Sequence, residues 1–193
     1  MIVAAAPAVA TPAVVLRSFA AASGRGDAAA MWKLLSPSSQ RRLGPYTRFR
    51  GRAPHVPSGQ VIVDTVVDAT WGVAALGGAR GSYAAALRRV GVAWRIELGA
   101  PIRLTAIGNN EVGVVARAPL QLAAGIRSAA AVGKAGMWLD GFGFDIKGGG
   151  TSNSNITIYG TPPRPVGRGR HVLVAFATAG NDAAARAWTF TVR

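Results

Sequence analysis

The spacing of apolar residues changes near Gly59 from a helical period to a period of two, and this change limits the folds open to the chain. Before Gly59, apolar residues recur three and four positions apart, which predicts short amphipathic helices. After it, apolar and polar residues alternate, as in strands with one buried face. Helices followed by consecutive strands indicate an α+β unit whose helices cover one face of an antiparallel sheet.

Three helices are predicted in the first part of the chain. Pro12 suits the first turn of the first helix, and Gly24 ends it. Asp27 is predicted to cap the second helix, because its carboxylate can accept the free N–H groups of the first turn. Ser36 is predicted to cap a third helix that begins at Pro37.

Strands are predicted from Gln60 onward. Alternation places Val61 and Val63 on one face of the first strand and Asp64 and Asp68 on the other. The further strands of this unit are predicted at Trp71–Leu76, Tyr83–Leu87, Val92–Leu98 and Pro101–Ile107.

The segments Leu16–Ala22, Gly26–Pro37 and Ser39–Leu43 resemble the opening of a nuclear transport factor 2-like domain, with a Gly-Asp start to the second helix and a Leu-Leu-Ser-Pro start to the third. Val92–Ile96 is similar to the penultimate strand of that fold. The resemblance covers residues 12–107. It implies a cone-shaped domain in which helices pack on an antiparallel sheet around a cavity.

A second unit is predicted after a boundary at Gly108-Asn109-Asn110. Short strands separated by turns over residues 109–193 indicate an all-β sandwich. One strand is predicted from Val112, and Gly148–Asn153 is predicted to be a loop. The clearest strands are His171–Ala177 and Ala185–Val192, while no strand is assigned within residues 118–136.

The last two of these strands resemble the end of a bacterial immunoglobulin-like domain. The resemblance rests on Gly169–Ala177, the Gly180-Asn181 turn and Arg186–Val192. It implies an immunoglobulin-like sandwich over residues 109–193. Because the chain contains no cysteine, the inter-sheet disulfide of antibody domains is absent and this core depends on packing.

The resemblance of the first unit also brings an enzymatic alternative. Some enzymes of that fold place a carboxylate in the cavity to move a proton, with a tyrosine as oxyanion partner. This implies Asp64, Asp68, Tyr83 and Trp94 as cavity candidates for an isomerase or cyclase. Their positions match no catalytic motif, and solvated strand carboxylates are the competing interpretation.

The chain is strongly basic, with 22 Lys+Arg against 8 Asp+Glu and a formal net charge of +14. The densest cluster is a candidate site for an anionic polymer, and its alternative interpretation is a solvated helix end and loop; it consists of Arg41, Arg42, Arg48, Arg50 and Arg52. The remaining charge is dispersed and accompanies no recognition helix, so nucleic acid is not the expected partner.

Several site classes find no support in the sequence. With no Cys and two His, no metal-ligand spacing or cofactor fingerprint is present, and we expect neither a metal nor a cofactor. No uninterrupted apolar run approaches the roughly 18 residues of a membrane span. The run Ala8-Val9-Ala10 resembles a signal-peptidase site and favours export, with an Ala/Pro-rich linker in a cytoplasmic protein as the alternative.

We therefore expect a two-domain protein whose role is binding rather than catalysis. The Arg, Ala and Gly bias is typical of a GC-rich bacterial genome, and the resemblances imply a secreted or cell-envelope protein that binds an unknown protein or envelope component. The cavity enzyme and the arginine-rich binder of an anionic polymer remain the alternatives.

Overall fold

The computed structural model describes residues 10–107 and 120–192, which form four short helices and three antiparallel sheets stacked in layers. The helices are α1 Pro12–Gly24, α2 Ala28–Leu34, α3 Pro37–Leu43 and α4 Tyr46–Arg50. The first five strands are β1 Gln60–Val66, β2 Trp71–Gly78, β3 Gly81–Val90, β4 Ala93–Glu97 and β5 Ile102–Ile107. The other seven are β6 Leu122–Ser128, β7 Val132–Leu139, β8 Phe142–Gly143, β9 Lys147–Ser152, β10 Asn155–Gly160, β11 Gly169–Ala179 and β12 Asp182–Val192.

The predicted helix caps are confirmed. The Asp27 carboxylate accepts a hydrogen bond from the backbone N–H of Ala30 at 2.9 Å. The Ser36 hydroxyl accepts one from the backbone N–H of Ser39 at 3.0 Å. Each cap satisfies an N–H that the helix itself leaves without a partner, which contributes about 1 kcal/mol.

The helices cover one face of the first sheet, whose strand order is β1-β2-β3-β4. The core between them is built from side chains of α1, α2 and the strands. Its largest fully buried members are Leu16, Phe19, Met31, Leu35, Leu76, Leu87 and Ile96. The predicted α+β arrangement of this part is thus present.

Strand β1 departs from the predicted alternation. Its pairing with β2 is interrupted by a register shift between Val61 and Val63. Val61 therefore packs in the helix-facing core, while Val63 packs on the opposite face of the sheet. A β-bulge adds one residue to a strand and reverses the side on which later residues point. The prediction that both valines share a face was wrong for this reason.

The other two sheets pack face to face as a β-sandwich. Their strand orders are β5-β6-β10-β9 in the second sheet and β12-β11-β7-β8 in the third. The core between them contains Leu104, Leu122, Ile126, Met137, Ile158, Leu173 and Phe190. Phe190 and Val192 share the buried face of β12, and Trp188 packs against the same core.

Two segments differ from the prediction. Strand β5 was placed with the first unit, but it pairs with β6 along its whole length, Ile102 opposite Ser128 and Ile107 opposite Ala123. Residues Gly148–Asn153 were predicted to form a loop, whereas Lys147–Ser152 form β9 beside β10. Three successive glycines weaken the strand signal in a sequence, but they pair normally at the edge of a sheet. Strand β6 and residues 132–136 of β7 lie in the stretch left unassigned.

The third sheet also packs against the first. Val63, Trp71 and Val73 of the first sheet meet Val174 and Phe176 of the third in a core of their own. The layers thus run helices, first sheet, third sheet, second sheet. The two expected hydrophobic nuclei are present, and a third one joins them.

The proposed boundary at Gly108 and the strand predicted from Val112 lie outside the described residues, as does most of the signal-like N-terminus. The autonomy of units 12–107 and 109–193 stays a prediction. Within the residues that the structure describes, no helix is long and apolar enough to cross a membrane.

Candidate functional site

Asp64, the first carboxylate candidate, serves the N-terminus of α1. It is exposed, and its Oδ1 accepts a hydrogen bond from the backbone N–H of Ala13 at 3.1 Å. Asp64 pairs with Ala74 on β2, while Tyr83 pairs with Leu76, so the two candidates lie two strands and two positions apart. Strands are spaced by about 4.8 Å, so this separation is about 10 Å or more.

Asp68, the second carboxylate candidate, lies in the turn after β1 and not on the strand with Asp64. Its Oδ1 accepts hydrogen bonds from the N–H groups of Thr70 and Trp71, each at 2.7 Å. Its Oδ2 pairs with Lys134 on β7 at 2.6 Å. The bond from Lys134, more than the opposing effect of burial, holds the Asp68 pKa below its ordinary value. A general acid needs a raised pKa, so this environment favours a structural ion pair.

Tyr83 and Trp94 belong to the packing of the first sheet. Trp94 is 4% exposed in the helix-facing core, and the Arg89 guanidinium lies 5.9 Å from its ring centre. Tyr83 is partly buried against the same core, and burial raises the pKa of its phenol to about 12. Tyr83 also lines a cleft of about 450 Å³ between β3 and β12, whose other wall is formed by Ala183–Ala187.

That cleft is closed at one end by a buried ion cluster that the sequence analysis did not identify. The Glu97 side chain on β4 is fully buried and pairs with Arg88 at 2.8 Å and with Arg42. Ser38 and Ser39 of α3 donate hydroxyl hydrogen bonds to the same carboxylate at 2.8 and 3.1 Å.

These contacts decide the charge state of Glu97. Burial alone raises the pKa of a carboxyl group, but the hydrogen bonds from the two arginines and from the serines at the start of α3 outweigh it and lower the Glu97 pKa. The carboxylate is therefore ionised and fully occupied at neutral pH. Among the residues that the structure describes, the cleft thus offers no free acid or base beside Tyr83.

The arginine cluster divides into free and occupied members. Arg42 pairs with Glu97 and also with Asp182 at the start of β12, at 2.5 Å. Its charge is therefore neutralised within the fold. Across residues 10–107 and 120–192, no ion pair involves the other four, and all four are exposed: Arg41, Arg48, Arg50 and Arg52.

The four free arginines lie on or just after α3 and α4, two helices that contact each other. Arg41 is in the last turn of α3, and Arg48 and Arg50 are in the last turn of α4. The position a Cβ would take on Gly44, which ends α3, is 3.6 Å from Cδ of Arg48, so the Arg48 side chain folds back over that helix end.

The whole helical layer shares this charge. Between residues 10 and 59 its cationic residues are Arg17, Arg25, Lys33, Arg41, Arg42, Arg48, Arg50 and Arg52, and its one carboxylate is Asp27. That carboxylate is engaged as the cap of α2. Positive charge therefore predominates on the helical layer. We call this surface the basic helical face.

His171, at the start of β11, contacts Asp140 and the Gly167 carbonyl, with ring nitrogens 2.7 and 2.8 Å from the respective oxygens. His55 is exposed. Among residues 10–107 and 120–192, no group of three or more His, Asp or Glu side chains is arranged to hold a metal ion.

Comparisons with known proteins leave the family of the chain open. No family model and no curated protein matches it. Among solved structures, the titin domain M4 in a trigonal crystal form is similar over 50% of this chain and 100% of that one, at 13% identity and a TM-score of 0.31. A likeness of that strength supports no conclusion about fold or function.

Proposed function

We propose that this is a non-enzymatic binding protein whose basic helical face holds an anionic polymer. The observation that carries the proposal is the charge of that face, which has seven cationic residues besides the paired Arg42 and a single carboxylate that already caps a helix. Four of these residues are exposed arginines without an ion-pair partner among the described residues. Such a surface attracts polyanions by releasing their condensed counterions.

The competing explanation is local stabilisation of helix ends. Cations in the last turn of a helix interact favourably with its partial negative charge. This explains Lys33 in α2, Arg41 in α3, and Arg48 and Arg50 in α4, and Arg25 lies at the C-terminal cap of α1. It does not explain Arg17 in the middle of α1 or Arg52 beyond the end of α4.

The absence of an acid–base pair supports a binding role over the cavity enzyme. Asp64 is exposed, Asp68 has a lowered pKa, and Glu97 is saturated by two arginines and two serines. Tyr83 therefore has no described carboxylate poised to exchange a proton with a substrate in its cleft.

The proposal assigns an immunoglobulin-like fold to the sandwich and a nuclear transport factor 2-like fold to the preceding unit. The strand orders β5-β6-β10-β9 and β12-β11-β7-β8 support the first assignment. They correspond to the first, second, fifth and fourth strands of an immunoglobulin sandwich facing the seventh, sixth and third, with β8 as an added edge strand. Helices that precede a sheet and cover one of its faces support the second assignment.

The proposed setting is the bacterial cell envelope or the extracellular space. This part rests on the two resemblances and on the Ala8-Val9-Ala10 run. Fractionation of the source organism with an antibody against the protein tests it, and a purely cytoplasmic signal would contradict it.

Polyphosphate binding measured by calorimetry at increasing salt tests the central proposal. If about four arginines contact phosphates, the logarithm of the association constant falls with the logarithm of salt with a slope of about −3. The variant R41Q/R48Q/R50Q/R52Q is expected to bind about tenfold more weakly or worse. R80Q/R89Q/R164Q/R168Q is the matched control, since it removes the same charge from exposed positions outside the face.

Equal losses in the two variants would show that net charge alone drives binding, which would contradict a site on the basic helical face. Salt-independent binding would contradict the proposal as well. A DNA oligonucleotide of equal charge serves as a third ligand, because a marked preference for it would identify a nucleic-acid binder instead.

A further inference from the structure

The outer face of the second sheet carries a polar arrangement that folding does not explain. Two rows of side chains run across three adjacent strands of this sheet. In one row Arg103 on β5 is opposite Arg127 on β6, which is opposite Asn155 on β10. In the next row on the same face, Thr105 is opposite Gly125, which is opposite Thr157.

Gly125 lies at the centre of these rows, and neighbouring side chains lean over it. A Cβ added there would lie only 2.8 Å from the Thr105 hydroxyl and 3.1 Å from Cδ1 of Ile107, so glycine allows this close approach. Gly125 is among the residues that line a cavity of about 450 Å³. Its polar walls are the two threonines and the row that contains both arginines. This volume lies within the range of small-molecule sites, roughly 300–1,000 Å³.

The two arginines bring like charges together. Like charges directly opposite on paired strands repel each other and weaken the sheet. Both side chains are exposed, and neither takes part in an ion pair with any described residue. The repulsion therefore has no compensating partner within the described fold, and a bound anion would supply one.

One of the guanidinium groups is held in place by its neighbour. Nε of Arg127 donates to Oδ1 of Asn155 at 3.4 Å, and Nδ2 of Asn155 donates to the Thr151 hydroxyl at 3.1 Å. Asn155 thus fixes one edge of the Arg127 guanidinium and leaves its terminal nitrogens free. Paired guanidinium groups suit the tetrahedral oxygens of a phosphate, which accept several charge-assisted hydrogen bonds at once.

From this arrangement we infer that the cavity above Gly125 is a second anion site, for a phosphate monoester of about the size of a sugar phosphate. Arg103 and Arg127 hold the phosphate, and the hydroxyls of Thr105 and Thr157 bind hydroxyl groups of the attached body. The site is distinct from the basic helical face, because the first and third sheets lie between the two.

Titration of the full chain with glucose 6-phosphate, followed by backbone amide NMR and calorimetry, tests this inference. We expect shifts centred on Gly125, Thr105 and Thr157, weaker binding of inorganic phosphate, and no binding of glucose. R103Q/R127Q is expected to reduce the association constant at least tenfold. R168Q removes an exposed arginine elsewhere and should leave it unchanged, as should R41Q/R48Q/R50Q/R52Q.

The variant Gly125→Ala provides an independent arm, because its Cβ displaces the Thr105 hydroxyl and leaves both charges in place. It is expected to weaken binding of glucose 6-phosphate more than binding of inorganic phosphate. If R103Q/R127Q does not fold, Gly125→Ala still tests whether the cavity binds glucose 6-phosphate. Unchanged binding in Gly125→Ala, or equal losses in R168Q and R103Q/R127Q, would overturn the site. Glucuronate bound as tightly as glucose 6-phosphate would overturn the assignment of a phosphate.

Discussion

Arg42 on the third helix and Asp182 at the start of the last strand, 140 positions apart in the chain, form an ion pair with 2.5 Å between Nη1 and Oδ1. The same guanidinium contacts the buried Glu97 on β4. Arg88 on β3 completes the link, since it binds Glu97 and the backbone carbonyl of Asn181. One ion cluster therefore ties the helical layer, the first sheet and the last hairpin together.

Replacing Glu97 by Gln is expected to destabilise the protein by about 3–5 kcal/mol, the usual cost of removing one partner from a buried pair. The amide keeps the shape of the side chain but leaves Arg88 and Arg42 without their shared counter-charge. Chemical denaturation monitored by circular dichroism measures the loss. A change within 0.5 kcal/mol, as is usual for surface substitutions, would contradict the structural role of the cluster.

The Glu97 cluster also predicts the direction of a pH effect. The pKa of Glu97 is lowered in the folded state below its ordinary value of 4.5. The unfolded chain therefore takes up the proton first as the pH falls below about 4.5, and stability is lost until the folded pKa is passed. Denaturation curves between pH 6 and 3 should show this decline in the wild-type protein and a weaker decline in E97Q.

Phe176 tests whether the first sheet and the sandwich unfold together. Its side chain is fully buried in the core between the first and third sheets. Replacement by Ala is expected to cost about 3–5 kcal/mol from lost burial and the cavity left behind. Because this core joins the two units, wild-type calorimetry should show one transition, and F176A should lower its midpoint. Two well-separated wild-type transitions would identify autonomous domains.

The phenol of Tyr83 should ionise later than an ordinary tyrosine as the pH rises. Burial raises its pKa from 10.0 to about 12, because the phenolate would lose hydration. The unfolded chain releases this proton near pH 10, so the contribution to stability is present below pH 10 and lost as the pH rises toward 12. Ultraviolet absorbance titration should show one late step, which Y83F removes.

Substitutions of Asp64 test whether its carboxylate stabilises the N-terminus of α1. Replacement by Ala removes the acceptor for the Ala13 N–H at α1 and should cost about 0.5–1 kcal/mol. D64N retains an acceptor oxygen and should lose less than D64A. Thermal melting of both variants measures this order. Equal stability of D64A and the wild type would show that the hydrogen bond contributes nothing.

Local rules of the sequence predicted the features that depend on neighbouring residues. The caps at Asp27 and Ser36 follow from side chains that reach N–H groups only three positions away. The final hairpin follows from alternation around a Gly180-Asn181 turn. In each case the physical cause lies within one turn of chain, so a single sequence contains it.

Features that depend on pairing at a distance were missed. The side taken by Asp64 was set by a bulge that appears only in the register between β1 and β2. Strand β5 alternates equally well in either sheet, so its sequence does not reveal that β6 is its partner. Glu97 was predicted on a strand, but its place in the buried ion cluster depends on Arg42, which is 55 positions away in the chain. The sequence did contain one signal of this cluster. The chain has only eight Asp and Glu residues, so a glutamate within an apolar strand indicates a buried partner for its charge.

Because β5 pairs with β6, only Leu98–Pro101 connect β4 of the first sheet to β5 of the second sheet. So short a connection limits how far the first and second sheets can move relative to each other. The ion cluster at Glu97 lies immediately beside this connection. Sheets that pack about 10 Å apart then set the outermost surfaces of the molecule about 30 Å from each other. Two molecules bound at the basic helical face and at the outer face of the second sheet would therefore be held at a fixed separation, set by the thickness of the layers between them.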